Sequence, residues 1–260
     1  MTMARLTSDF YRHGPDYRFG DQILFEDIKR TFGFKTITVG AWVTKEERFI
    51  AANLIYDSLA DLTQILNVPP EVIGLRKTLS LSFGSGGQKG VQAHYDSNGK
   101  ILALAKNAGA GALAHEWWHA FDHYICKFLY PKSQYFDFAS ASWLTEKSFH
   151  PHPLNEVLSN FYKHCFLDDN GQQVSQYFKQ SISLDKTYNQ NYFSRPQEMT
   201  ARAFEACIGH HNEIKNHYLV SGVKKSNLAK QGGFPSKELR EVLEQYIYRY
   251  FNALGTALHR

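Results

Sequence analysis

Apolar and polar residues alternate along this chain with a period that switches between two and about 3.6, and the switches mark its elements. Residues 36–43, opening Thr36-Ile37-Thr38-Val39, are rich in β-branched side chains and predict a strand. Thr44-Lys45-Glu46-Glu47 then matches a capping box, so a helix opens there and runs to about Leu66. Along it Ile50, Leu54, Ile55, Leu59, Leu62, Ile65 and Leu66 keep three-to-four spacing, which lays one face on the sheet. Asn67-Val68-Pro69-Pro70 stops it. Residues 78–83 alternate and predict a strand with one buried face, followed by a flexible loop holding Gly84, Gly86, Gly87 and Gly90. Two short strands, 91–95 and 100–105, are joined by Asp96-Ser97-Asn98-Gly99, where Asn98 and Gly99 both accept positive φ and signal a hairpin.

From about Ala112 to Leu129 the chain is apolar or aromatic on nearly every side, the pattern of a helix buried within a domain. Helices are further predicted over 155–166, 172–184, 196–211 (with Pro196 in the first turn) and 235–254. The first 35 residues receive no element. The expected fold is α+β: a mixed sheet with an edge hairpin packed on the central helix, then a mainly helical C-terminal half. No repeat or long linker interrupts it, so residues 1–260 form one expected domain, with subdomains of about 36–130 and 131–260.

Composition narrows the function classes. Of 260 residues 43% are apolar and 21% charged, enough for a core and unlike a disordered chain. Nothing approaches the roughly 20 apolar residues of a membrane span. The first 21 residues carry Arg5, Asp9, Arg12, Asp16, Arg18 and Asp21 and lack the apolar stretch of a secretory signal. Cys126, Cys165 and Cys207 are odd in number and widely spaced, so a reducing cytoplasm is expected. The net charge of +4 is dispersed, with no like-charged run longer than pairs such as Lys224-Lys225, so neither a nucleic-acid partner nor a membrane is expected. Aromatics, at 15%, suit packed helix faces or a ring-lined cleft.

His115-Glu116-Trp117-Trp118-His119 carries the chemistry. Histidines at i and i+4 lie on one helix face about 6 Å apart at Cβ, so both imidazoles reach one Zn²⁺ at roughly 2.0–2.1 Å. Glu116 points beside such an ion and can serve as the general base of peptide hydrolysis. With 12 His and 13 Glu in the chain, this pattern arises by chance roughly 0.03 times. The plainer alternative is a buried helix whose histidines satisfy core hydrogen bonds.

Ala93-His94-Tyr95 through Ile101, together with 109–122 (Gly-Ala-Gly-Ala-Leu-Ala-His-Glu-Trp-Trp-His-Ala-Phe-Asp), resembles the large polyvalent protein-associated domain of phage and conjugative-element proteins. It is also similar to the bacterial CLCA_X family, and the resemblance spans about 78–210. It implies a zincin-like fold, a zinc ion and a hydrolase acting on a peptide or protein substrate.

A catalytic zinc needs a third protein ligand. Asp122 and Ile125 stand where metzincins have Gly and His, which excludes that class. The stretch 195–205 resembles the third-ligand helix of gluzincins, and Glu198 in its first turn is the leading candidate. Glu205, seven residues on, shares that face and can be ligand or supporting partner. Asp122 and His123 follow. Arg202 stands where the thermolysin pattern has Asp, so kinship with thermolysin is not close. Asp122 also suits an anchor for an imidazole N–H, or equally an exposed stripe. Tyr192, six before Glu198, matches the oxyanion-stabilising tyrosine of some gluzincins, with core packing as the alternative. His210, His211 and His217 read as capping or surface residues, 150–153 as a loop, and Trp117, Trp118, Cys126 and Cys207 as core. The rival to an enzyme is a zincin-fold binding or accessory protein of a mobile element.

Overall fold

The computed structural model describes residues 6, 9–85, 93–106, 111–145 and 148–258. The chain divides into two interleaved units, 1–120 with 209–221 and 121–208 with 222–260.

In the first unit, Thr44 accepts the N–H of Glu47 while the Glu47 carboxylate accepts the N–H of Thr44 at 2.9 Å, and this capping box opens α2 (Lys45–Leu66). Asn67, at φ 52°, ends it. Helix α2 connects β2 (Ile37–Val39) to β3 (Ser80–Phe83), its parallel neighbour. Strand β5 (Ile101–Leu104) lies parallel on the other side of β3, and β4 (Ala93–Asp96) pairs antiparallel with β5, giving the order β2-β3-β5-β4. Strand β3 is therefore central. All four of its residues are buried, not one face as the alternation predicts, and Ser80 is accommodated by a 2.9 Å bond from the Thr36 hydroxyl. Gly40 ends β2 where a Cβ would run into the backbone of Gly84, so no side chain is tolerated.

The hairpin forms where Asn98-Gly99 predicts it, by another device. Asp96 accepts the N–H groups of Asn98 and Gly99, and the residue with positive φ is Lys100 (52°). The glycine-rich loop after Ser85, and residues 91–92 of the expected strand, lie outside the described residues.

The N-terminal stretch holds two elements absent from the sequence reading. Helix α1 (Phe25–Phe32) buries Ile28 and Phe32, sets Phe32 edge-on to Tyr56 of α2 at 5.2 Å and ends at Gly33 with φ 67°. Strand β1 (Arg12–His13) pairs antiparallel with β6 (Lys215–Asn216). Arg12 donates from Nε and Nη2 to Asp61 of α2 at 2.8 and 2.7 Å, and Asn216 donates to the same fully buried carboxylate at 2.8 Å.

Helix α3 (Leu113–Leu129) begins in the first unit and ends in the second. The second unit is otherwise helical: α4 (Ala139–Thr145), α5 (Pro153–Phe166), α6 (Gln176–Tyr188), α7 (Pro196–Gly209), α8 (Asn227–Lys230) and α9 (Lys237–Leu258). Its core sets Phe121 against Tyr250 and Phe251, and nearer the surface His164 meets Tyr246 at a tilt. Helices α4 and α8 are short and went unpredicted. The 150–153 segment ends in a helix cap, with His152 Nδ1 accepting the N–H of Leu154 at 3.2 Å. No described helix is long and apolar enough to cross a membrane.

Candidate metal centre

The start of α3 is fixed by a segment a hundred residues away. Gly111 (φ 87°) donates to Tyr218 O at 2.7 Å, Ser221 N–H returns to Gly111 O at 3.0 Å, and Ala114 N–H reaches Leu219 O at 3.2 Å. The last bond satisfies a first-turn donor that an open helix end leaves without a partner. A Cβ on Gly111 would overlap the Ser221 side chain, so glycine is required. Further along, Trp117 and Trp118 are fully buried as expected, and Trp117 Nε1 donates to Ile73 O at 3.0 Å.

His115 and His119 lie one turn apart with ring centres 4.8 Å from each other, planes at 77°, each 8% exposed. The Glu116 carboxylate accepts the backbone N–H of Tyr95 on β4 at 2.9 Å. The edge strand thus orients the carboxylate that the motif places beside the two imidazoles. Nothing in the sequence marks that contact, because a backbone donor has no residue type.

His115, His119 and Glu198 each offer one ligand atom, and these atoms lie within 4.8 Å of one another. Two imidazole nitrogens and a carboxylate oxygen are the donor types of a catalytic zinc site. The residues therefore fit the ion. Among the described residues no second such group occurs, and Glu205, Asp122 and His123 are not in this one.

The other candidates have different surroundings. Asp122 is fully buried, which removes the exposed-stripe reading; it accepts Ser140 N–H at 2.9 Å, Ser140 Oγ at 2.5 Å and Tyr162 OH at 2.8 Å. His123 bonds Tyr135 O through Nε2 and stacks on Phe138. Tyr192 is 38% exposed, so it is not the core residue that its alternative reading describes. His211 caps its turn by accepting the N–H of Ile214, and burial together with Lys215 lowers its pKa. Burial pushes the Cys126 thiol up to about 11 and raises those of Cys165 and Cys207 well above the usual value, in keeping with inert packing. Arg202, also buried, ties α7 to the carbonyls of Gly233 and Phe193 at 2.7 and 2.6 Å.

Asp185, which the sequence did not single out, shapes the turn that leads into α7. It accepts the N–H groups of Tyr192, Phe193 and Ser194 and the Ser194 hydroxyl, all within 2.9 Å. Burial raises its pKa, but the Ser194 hydroxyl and these three amides outweigh burial, and the net shift is downward. A lowered folded-state pKa means that this stabilisation is complete above the unfolded value near 3.9 and is lost as pH falls through the folded one. Asp185→Ala is expected to cost about 2 kcal/mol in urea unfolding at pH 7 and much less at pH 2.5. Equal costs at both pH values would contradict this account.

Residues 184–258 match the family model of large polyvalent protein-associated domain 1. The match is partial. It begins late in α6, runs through α9 and contains Glu198, whereas the His115–His119 motif lies outside it. Of the 78–210 span over which the sequence resembles such domains, the model covers 184–210. No curated protein and no solved structure matches the chain.

Proposed function

We propose that this chain is a cytoplasmic zinc-dependent metallopeptidase of zincin-like, gluzincin type, with His115, His119 and Glu198 as ligands and Glu116 as general base. One observation carries the reading: two buried imidazoles one turn apart on α3, with the intervening Glu116 carboxylate oriented by the Tyr95 N–H. When bound, the ion supplies Lewis-acid chemistry, polarising a scissile carbonyl and acidifying a water toward neutral pH. Glu116 takes a proton from the attacking water and returns it to the leaving amine. The Tyr95 amide keeps that carboxylate from rotating away, and Tyr192 is assigned to the oxyanion that develops on the carbonyl. The match over 184–258 to a domain described by its association with large polyvalent proteins favours, as the second reading, an accessory module of a mobile element.

Elemental analysis of the purified protein with a peptide-library digest separates the two. The enzyme reading expects one zinc per chain and a reproducible set of cleavages. His119→Ala should lose the metal, Glu198→Ala should lower zinc affinity, and Glu205→Gln should leave it unchanged. Equal zinc in His119→Ala and the parent protein would sink the ligand assignment; bound zinc with no cleavage would favour the accessory module.

A further inference from the structure

Where α5 ends, the chain doubles back through 168–174, with Leu167 and Val174 bridged antiparallel, and re-enters a helix at the N-cap Ser175. The 232–236 loop and the first turns of α9 come alongside and leave an open groove of about 580 Å³. That is within the range of small-molecule and peptide sites. Half-buried Leu167, Phe234, Leu239 and Val242 present apolar surface to it.

Asp168, Asp169 and Glu238 stand among these apolar walls, and neither Lys nor Arg lines the groove. Of the cations nearby, Arg240 pairs with Glu244 at 2.9 Å, Lys237 lies 3.9 Å from Glu241, and Arg202 holds its two carbonyls. Lys179 acts on Asp168 through charge. The N–H groups of Gln172 and Gln173 hold the Asp168 carboxyl below the usual range, so it is ionised at neutral pH. The Glu238 carboxyl is lowered too, by its own N–H and then by Ser236.

An apolar floor with three carboxylates among its lining residues complements a long aliphatic stem that ends in a cation, which is the chemistry of Lys and Arg. We infer that this groove docks a peptide segment of a partner protein bearing Lys or Arg side chains. The stems cover Leu167, Phe234, Leu239 and Val242, and the charged heads meet Asp169 and Glu238. None of these residues belongs to the candidate metal centre, so the inference stands apart from the hydrolytic reading.

The probe is a fluorescein-labelled dodecapeptide alternating Leu and Lys, with Leu/Glu and Leu/norleucine versions as controls. Anisotropy is read on the full chain carrying Glu116→Gln, so that turnover does not consume the probe. The Lys peptide is expected to bind, and to weaken as salt rises. Asp169→Asn with Glu238→Gln, both exposed positions, should weaken it by about tenfold or more, with melting unchanged. Leu239→Ser should weaken the Lys peptide independently. Equal binding of the Glu or norleucine peptide, or unchanged affinity in the double variant, would overturn the inference. So would sedimentation showing that the double variant turns a dimer into a monomer, since the occupant would then be a second copy.

Discussion

Glu116→Gln is expected to keep zinc and fold while cutting hydrolysis of the best library peptide by roughly 10²- to 10⁴-fold, the usual cost of losing a general base. Glutamine is the same size, and its amide oxygen can still accept the Tyr95 N–H that the carboxylate accepts at 2.9 Å. What disappears is the ability to take a proton. The loss should therefore fall on kcat, with KM little changed, because the variant removes a transition-state interaction and leaves binding intact. Rates are compared at matched zinc occupancy. Equal kcat for the two proteins would mean that Glu116 is not the base, and the accessory-module reading would then lead.

Arg12→Met is expected to destabilise the protein by about 3 kcal/mol, the low end of breaking a buried ion pair. Asp61 has no exposed surface, and Arg12 supplies two of its hydrogen bonds. Methionine fills much of the space but leaves the carboxylate with the Asn216 amide in place of a guanidinium. The double replacement Arg12→Met with Asp61→Leu removes the buried charge as well, and should recover a large part of the loss. Guanidinium chloride unfolding of both variants checks this. A cost below about 1 kcal/mol for Arg12→Met would show the pair to be no stronger than an exposed surface bridge.

Legibility in the sequence followed the reach of each interaction. The α2 capping box spans three residues, and both its hydrogen bonds are present. The motif histidines span four, and their rings meet on one face. Strand β3 departs from its alternation because both faces of a central parallel strand are covered, and Ser80 is satisfied there by the Thr36 hydroxyl. Helix α1 had a readable signal in the spacing of Phe25, Ile28 and Phe32 before Gly33, but its eight residues fall short of what makes a helix stand out. Asp122 is singled out by the sequence but its hydrogen-bond partners are not, and Asp185 is not legible at all. Their partners Ser140 and Tyr162, or the amides of 192–194, are chosen by chain packing and not by spacing.

The contacts from 216–221 to Asp61 and to the start of α3 also order events during synthesis. Asn216 follows Asp61 by 155 positions, and at 5–20 residues per second it leaves the ribosome roughly ten to thirty seconds later. In the later part of that interval, once residue 129 is out, the nascent first unit has its sheet strands, α2 and the motif helix, but neither β6 nor the carbonyls of Tyr218 and Leu219 that hold residues 111 and 114. The motif is translated early and anchored late, so chains released before residue 216 emerge with Asp61 lacking Asn216 and become clients for chaperones or proteases.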